Sequence, residues 1–368
     1  MWAAVRGRPH HPFAPTPLTM LPSLRKTSGH KPAQPVCGLH LEQSEAIAAV
    51  ARLDNGLAVQ RAAAVDLPIG AVRDGEVTDP EALGSALKRL FTEHKLPKRV
   101  RVGIANQRTI MRTIDLPPLE REAEIAAAVR MHAPDHIAMP FDQAVTDHHV
   151  LGLVDTPEGP RMRVVVVATD RESVERLLLA LRGAGLRPAG LDLSAFALIR
   201  ALYRRNREGE GAVLYAHVAG TTTMAIAEGT DCRFTRVSTA GFDTFAAHLA
   251  ERAEIGIDAA RHRLVVAGAE GLSDDALARS VLESGADQLG DDLRTSIEFF
   301  TSQWDGAVGE IVVTGTALAV PGFVAALQKR AGLQVTPGEL QGSAEALGGL
   351  EPWRVTLATG LSVEEVAA

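Results

Sequence analysis

The sequence predicts an α/β protein of two similar lobes, with a small α/β subdomain inserted into the first. Three observations lead there. The chain has 368 residues, and at about 150 residues per domain that is room for roughly two domains, each able to bury a core. A run of three strands followed by a helix occurs twice. It is first "VCGLHL", "AIAAVARLDNG" and "LAVQRAAAVDLP" before "PEALGSALKRLFTEH", then "VLYAHV", "TMAIAEGTD" and "CRFTRVSTAGF" before "FDTFAAHLAERAEI". Material of a different rhythm separates the two runs. A fold of two similar halves places a cleft between them. The expected boundaries are a tail at 1–35, a first lobe at 36–210 with the insertion at about 117–189, and a second lobe at 211–368 ending in a C-terminal helix.

Residues 1–35 are rich in Pro and His, carry Arg6, Arg8, Arg25, Lys26 and Lys31 with no acid, and have no unbroken apolar stretch of the secretory kind. A disordered basic tail is expected, either a plain extension or one drawn to an anionic lipid surface. In the first lobe, Asn55-Gly56 marks a hairpin because both residues tolerate positive φ. Strands follow at "RVRVGIA" and "TIMRTIDL", then Pro117-Pro118 and the helix "EREAEIAAAVRMHA", which opens on acids and stops before Pro134. After "QAVTDHHVLGLV" and "RMRVVVVAT", Asp170 is the expected N-cap of "DRESVERLLLALRGAG", which Gly183 or Gly185 ends. In the second lobe "SDDALARSVLESGADQLGDDLRTSIEFFTSQ" has apolar residues three and four apart, the spacing of a long helix. Gly315 closes the strand "EIVVTG" where the next helical turn begins, and "EPWRVTLATGLSVEE" is the C-terminal helix.

Composition removes several functional classes. A net charge of −7 and a pI near 6.0 leave no basic face for nonspecific nucleic-acid binding. Apolar runs such as "VVVVA" and "LLLAL" fall far short of the ~18 residues of a spanning helix. Cys37 and Cys232 sit in apolar runs and read as buried free thiols of a reducing cytoplasm, with a disulfide between them as the alternative. No G-x-S-x-G, C-x-x-C, H-E-x-x-H or Walker-type loop occurs, so hydrolase, dithiol redox, zinc-protease and P-loop chemistries lack their residues.

An ordered series of segments runs from "GLHLEQS" through "DLPIGAVRDGEVTD", "MRTIDLPPL", "GLRPAGLDLSAFALIRAL", "RVSTAGFD", "LRTSIEFF" and "IVVTGTALAVPGF" to "LATGL". In order and spacing this series resembles the PilM family of type IV pilus assembly proteins, related to FtsA. The resemblance implies an actin/Hsp70-like fold, a duplicated ribonuclease H-like architecture with ATP between its lobes. It also implies a cytoplasmic position at the inner face of the cell membrane. There the protein would bind the N-terminal cytoplasmic peptide of a PilN-like bitopic protein and connect it to the pilus motor ATPases.

The same resemblance locates the nucleotide contacts. They are Gly38, His40 and Ser44 on the first loop, His217, Gly220, Thr221, Thr222 and Thr223 on the second, and Gly315 and Thr316 on the adenosine side. Family members begin both loops with an aspartate that organises Mg²⁺. Here His40 and His217 replace the acids, and Glu42 replaces a glycine. A poorly solvated carboxylate there would repel phosphate by on the order of several kcal/mol. ATP is a possible ligand, Mg²⁺ is not expected, and loss of hydrolysis is the expected reading. Asp192 is the one acid left near the site, or else the N-cap of "SAFALIRALYRR".

His40 and His217 hold equivalent places in the two halves and should face each other across the cleft. Two histidines suggest a transition-metal site or a pH-sensitive latch. Without a third ligand in view no metal site is assigned, and two polar residues closing an emptied cleft is the expectation. For the partner peptide, alternation puts Ile110, Arg112, Ile114 and Leu116 on one face of a strand, and the family resemblance singles out Arg112, Leu116 and Pro117, so Arg112, Ile114, Leu116 and Pro117 are the expected contacts, although they would equally serve to build the subdomain. Three functions are therefore carried forward: a non-hydrolysing pilus scaffold, an active ATPase of the same fold, and an actin-like adaptor of a type II secretion system.

Overall fold

The computed structural model describes residues 35–364 apart from 54–55, 158, 205–210, 269–273, 305 and 341. The basic tail and the Asn55 turn expected above fall outside the described residues. In the first lobe β1 (Cys37–Leu41), β2 (Glu45–Leu53) and β3 (Leu57–Asp66) form an antiparallel meander, with Leu53 opposite Leu57. A small ladder of β4 (Val72–Arg73) and β5 (Glu76–Val77) leads to α1 (Pro80–Glu93). This helix starts where it does because the Asp79 carboxylate accepts the amides of Glu81 and Ala82, and Pro80 fills a first-turn position that needs no amide. Its Leu83, Ala86, Leu87, Leu90 and Phe91 form the buried stripe. β6 (Arg99–Ile104) then returns parallel to β1.

The inserted subdomain is a three-stranded antiparallel sheet of β7 (Ile110–Leu116), β8 (Ala144–Thr156) and β9 (Gly159–Asp170), in the order β7-β9-β8. One face of it is covered by α2 (Glu122–His132). Its limits differ from those expected. β7 precedes the Pro117-Pro118 signal yet pairs with β9 along its whole length, from Ile110 opposite Ala168 to Leu116 opposite Met162. At the other end α3 (Arg171–Gly183) leaves the subdomain and puts Leu177, Ala180 and Leu181 into the same core as the apolar stripe of α1. Asp170 caps it as expected, its carboxylate accepting the Ser173 amide at 2.9 Å. β10 (Arg187–Leu193) and α4 (Ser194–Leu202) complete this part of the chain.

The second lobe repeats the plan. It contains β11 (Ala212–Val218), β12 (Thr222–Glu228), β13 (Asp231–Ser238), α5 (Phe242–Ala253), α6 (Ile257–Ala267), α7 (Ala276–Gln303), β14 (Val308–Thr314), α8 (Phe323–Ala331), β15 (Val335–Pro337) and α9 (Pro352–Ser362). Strand order is β10-β6-β1-β2-β3 in one sheet and β13-β12-β11-β14-β15 in the other. Read from the meander inward, the two orders are the same, and β1 and β11 are equivalent. Each pairs antiparallel with the strand after it and parallel with a later one.

The C-terminal helix departs from the expected division. α9 packs on α4, β1 and β2 of the first lobe. Gly38 makes this approach possible, since a Cβ there would overlap the Ala358 carbonyl oxygen. Arg101 of β6 holds the end of α9, donating to the carbonyls of Leu361 at 3.1 Å and Val363 at 3.0 Å. One apolar core runs through α4 and α9 from Ile47 and Ala49 of the first sheet to Tyr215 and Ala225 of the second, so the lobes share buried surface beneath the cleft. Cys37 and Cys232 are free and buried, and burial pushes both thiols up to about 12. Among the described residues no helix is long and apolar enough to cross a membrane.

Candidate functional site

His40 is the penultimate residue of β1 and His217 the penultimate residue of β11, so the equivalence of the two strands brings the rings together. Their centroids are 5.4 Å apart with the planes perpendicular, and each residue is 3% exposed. Glu42 stands between them. Its position is set by the turn after β1, where its amide donates to the Glu45 carbonyl at 2.8 Å. Glu42 Oε1 lies 2.7 Å from His40 Nε2 and 3.4 Å from His217 Nε2. Burial alone would push this carboxyl up, but the approach of His217 and His40 outweighs it and holds Glu42 well below the usual carboxylate range. For His217 burial dominates and lowers its proton affinity, against the upward pull of Glu42. Nδ1 of both rings and Nε2 of His217 make no hydrogen bond among the described residues.

Beside this cluster is a cavity of about 100 Å³ lined by residues of both lobes. Ser44, His217, Gly220, Gly315 and Thr316, all expected nucleotide contacts, line it. The other expected contacts lie elsewhere. Gly38 is under α9, where its missing side chain serves helix packing. Thr222 spends its hydroxyl on the Ala240 carbonyl at 2.6 Å, Thr223 is buried in the pairing of β11 with β12, and Thr221 closes the turn by accepting the Ala219 amide at 3.0 Å. Asp192 is not a cap. It is buried in an ion pair with Arg200, which also donates to the Gly360 carbonyl at 2.8 Å.

Asp243, the last residue of the segment "RVSTAGFD", and Arg261 belong to the cavity, although neither was among the expected contacts. Asp243 lies in the first turn of α5, and its carboxylate occupies the space that a side chain on Gly220 would need, with Glu42 on the other side. Burial raises the Asp243 carboxyl, against Arg261, which donates to it at 2.8 Å. The amides at the start of α5 are not open to an anion either, since Phe242 and Asp243 donate to the carbonyls of Ala219 and Gly220 at 2.8 and 3.1 Å.

Mg²⁺-ATP does not fit this arrangement. Two carboxylates face the glycine that a phosphate would have to approach, one tied to histidines and the other to an arginine. The cavity is also well below the ~300–1,000 Å³ of typical ligand pockets.

Two larger grooves flank the inserted sheet. One, of about 730 Å³, lies between β7 and β9 on one side and β13 and α7 on the other, and Arg112 is on its wall. Ile114 and Leu116, expected to meet a partner, are 4% and 1% exposed in the subdomain core, so of that set Arg112 and Pro117 reach the surface. Alternation along β7 indicated a shared face, but not that α2 covers it. The second groove, of about 460 Å³, runs beside β10, where successive residues Ala189 to Leu193 line it together with Val145, Val167 and Phe196. β10 is an edge strand of its sheet.

Comparison with known proteins agrees with this architecture. A family model for type IV pilus assembly protein PilM matches residues 40–340. A solved structure described as a PilM-PilN type IV pilus biogenesis complex superposes with a TM-score of 0.77 at 26% identity, covering 90% of this chain and 98% of that one. Ethanolamine utilization protein EutJ from Carboxydothermus hydrogenoformans superposes at 0.51 with 14% identity, covering 91% of each chain. MreB 5 of Spiroplasma citri bound to AMPPNP gives 0.50 at 13% identity, covering 90% of this chain and 95% of that one. The last two share the actin-like fold.

Proposed function

The chain belongs to the family of type IV pilus assembly protein PilM, and from that membership we propose that it is a cytoplasmic, non-hydrolysing actin-like scaffold whose work is to hold a PilN-like partner at the inner face of the cell membrane. The observation that carries the scaffold half of this reading is the placement of the Glu42 and Asp243 carboxylates around Gly220. A loop that in this fold would accept phosphate is filled with negative charge. The cleft then contributes rigidity rather than turnover, because the lobes already share a continuous core beneath it.

The partner half is supported by the likeness to a PilM-PilN complex over nearly its full length. The groove beside β10 offers what an extended peptide needs. The strand is at a sheet edge, so its outer N–H and C=O groups are available for an added strand, and Val145, Val167 and Phe196 form apolar ground for side-chain anchors. The chain would be held at the membrane through this peptide.

Two measurements on the full chain test the proposal. Isothermal titration with the N-terminal cytoplasmic peptide of a PilN-like protein should give saturable one-to-one binding. Incubation with Mg²⁺ and ATP should release no phosphate above a protein-free control. Turnover at an ordinary enzymatic rate overturns the non-hydrolysing part, and failure to bind the peptide overturns the partner part.

A further inference from the structure

We propose that His40, Glu42 and His217 bind one transition-metal dication of the zinc class, and that this ion joins the two lobes across the cleft. Two histidines alone make a weak case. The turn after β1 adds the third donor, since one nitrogen of each imidazole and a carboxylate oxygen of Glu42 all lie within 4.8 Å of one another. Zinc bonds of ~2.0–2.2 Å place neighbouring ligand atoms roughly 3.3 Å apart in a tetrahedral shell. Glu42 Oε1 is already 3.4 Å from His217 Nε2 and 2.7 Å from His40 Nε2, so an ion has to displace one hydrogen bond and little else.

A second, independent observation points to a ligand. His217 is 3% exposed, and neither of its ring nitrogens finds a hydrogen-bond partner among the described residues. Buried polar atoms are nearly always satisfied, so the ring is short of partners, Nε2 having only the Glu42 carboxylate at 3.4 Å. A metal on Nε2 supplies one of them.

The donor chemistry selects the class of ion. Two imidazoles and one carboxylate suit zinc and its neighbours, whereas Mg²⁺ wants a shell of oxygens and keeps most of its water. A dication also offsets the repulsion between Glu42 and Asp243, whose carboxylates converge beside Gly220. The adjoining cavity of about 100 Å³, with Ser44 and Glu45 on its wall, has room for a water on the remaining position. Because His40 and Glu42 come from the first lobe and His217 from the second, the ion would fasten the lobes without nucleotide.

The site does not depend on the pilus role, so a chain that captures its peptide but no zinc loses this inference and keeps that one. The test uses the full chain, stripped with chelator and titrated with zinc sulfate, magnesium chloride and cobalt(II) in parallel. The expected result is one zinc per chain, a rise in melting temperature with zinc and none with magnesium, and cobalt(II) visible bands of four- or five-coordinate intensity. Zinc binding and the bands should be lost in Glu42→Gln and His217→Gln with circular dichroism unchanged. Absence of saturable zinc binding overturns the proposal. So does binding retained by both variants, which would place the ion elsewhere, for example on the His10-His11 pair of the tail. Should either variant fail to fold, the cobalt(II) spectrum of the wild-type chain decides, and weak bands of hydrated octahedral cobalt overturn the site.

Discussion

Glu42 reaches His217 across the cleft, with 3.4 Å between Oε1 and Nε2, although one residue follows the first strand of the first lobe and the other is the penultimate residue of the first strand of the second. The lobes thus meet through His40, Glu42 and His217, side chains at the positions where the family resemblance leads one to expect acids and a glycine. Each such replacement is small. Together they set what the cleft can hold, because the Glu42 and Asp243 carboxylates beside Gly220 repel an anion that approaches this turn.

Reopening the cleft should therefore restore some affinity for nucleotide. Glu42→Gly with Asp243→Asn removes both negative charges facing Gly220 and enlarges the cavity. A fluorescent ATP analogue is expected to bind this double variant at least about tenfold more tightly than the wild type, a difference of ~1.4 kcal/mol. Equal affinity in the two proteins would show that the carboxylates are not what keeps nucleotide out.

The two grooves make opposite predictions for partner binding. Val145 is 36% exposed on the wall beside β10, so Val145→Arg should weaken binding of the PilN-like peptide about tenfold or more without loss of stability. Arg112→Glu alters the other groove and should leave the affinity within about twofold. Titration calorimetry with both variants checks this. The reverse outcome would move the docking site to β7.

Asp170 gives a pH-dependent contribution whose sign follows from its contacts. The Ser173 amide, and secondarily the Ser173 hydroxyl and Arg108, hold its carboxyl below the usual range. A group depressed in the folded state stabilises fully above its unfolded value of about 3.9, and that contribution disappears as the pH falls through the folded value. Asp170→Ala is expected to cost about 1 kcal/mol in urea denaturation at neutral pH. The gap between wild type and variant should narrow below about pH 4.

Gly38 has a packing role rather than a ligand role, and this is also measurable. Any side chain there meets the backbone of α9 near Ala358. Gly38→Ala should destabilise the chain by about 3 kcal/mol, at the upper end of overpacking costs, because backbone cannot yield as a side chain does. A melting temperature close to that of the wild type would show that α9 shifts to accommodate it.

Much of the fold was legible because it is written in consecutive residues. The apolar runs of β1 and β11, the stripe of α1 and the Asp170 cap depend on neighbours within a few positions. The duplication was legible for the same reason, as a local pattern that occurs twice. Three readings depended on distant surfaces and came out differently. Ile114 and Leu116 share a strand face, but α2 decides that this face is buried. The C-terminal helix has an apolar pattern, but only the gap left by Gly38 on β1, with Gly360 admitting α4, decides where it packs. Asp192 has the composition of a cap, but Arg200, near the far end of α4, claims it.

By itself the sequence determined the family, the repeated strand plan and the presence of a histidine at equivalent places in the two halves, all of which are statements about order along the chain. Only the tertiary structure decided that Glu42 stands between His40 and His217, and that Asp243 fills the space beside Gly220. The reason is physical: side-chain electrostatics act over a few ångströms of space, and these groups come within that range only when closure of the two lobes over their shared core brings distant segments together.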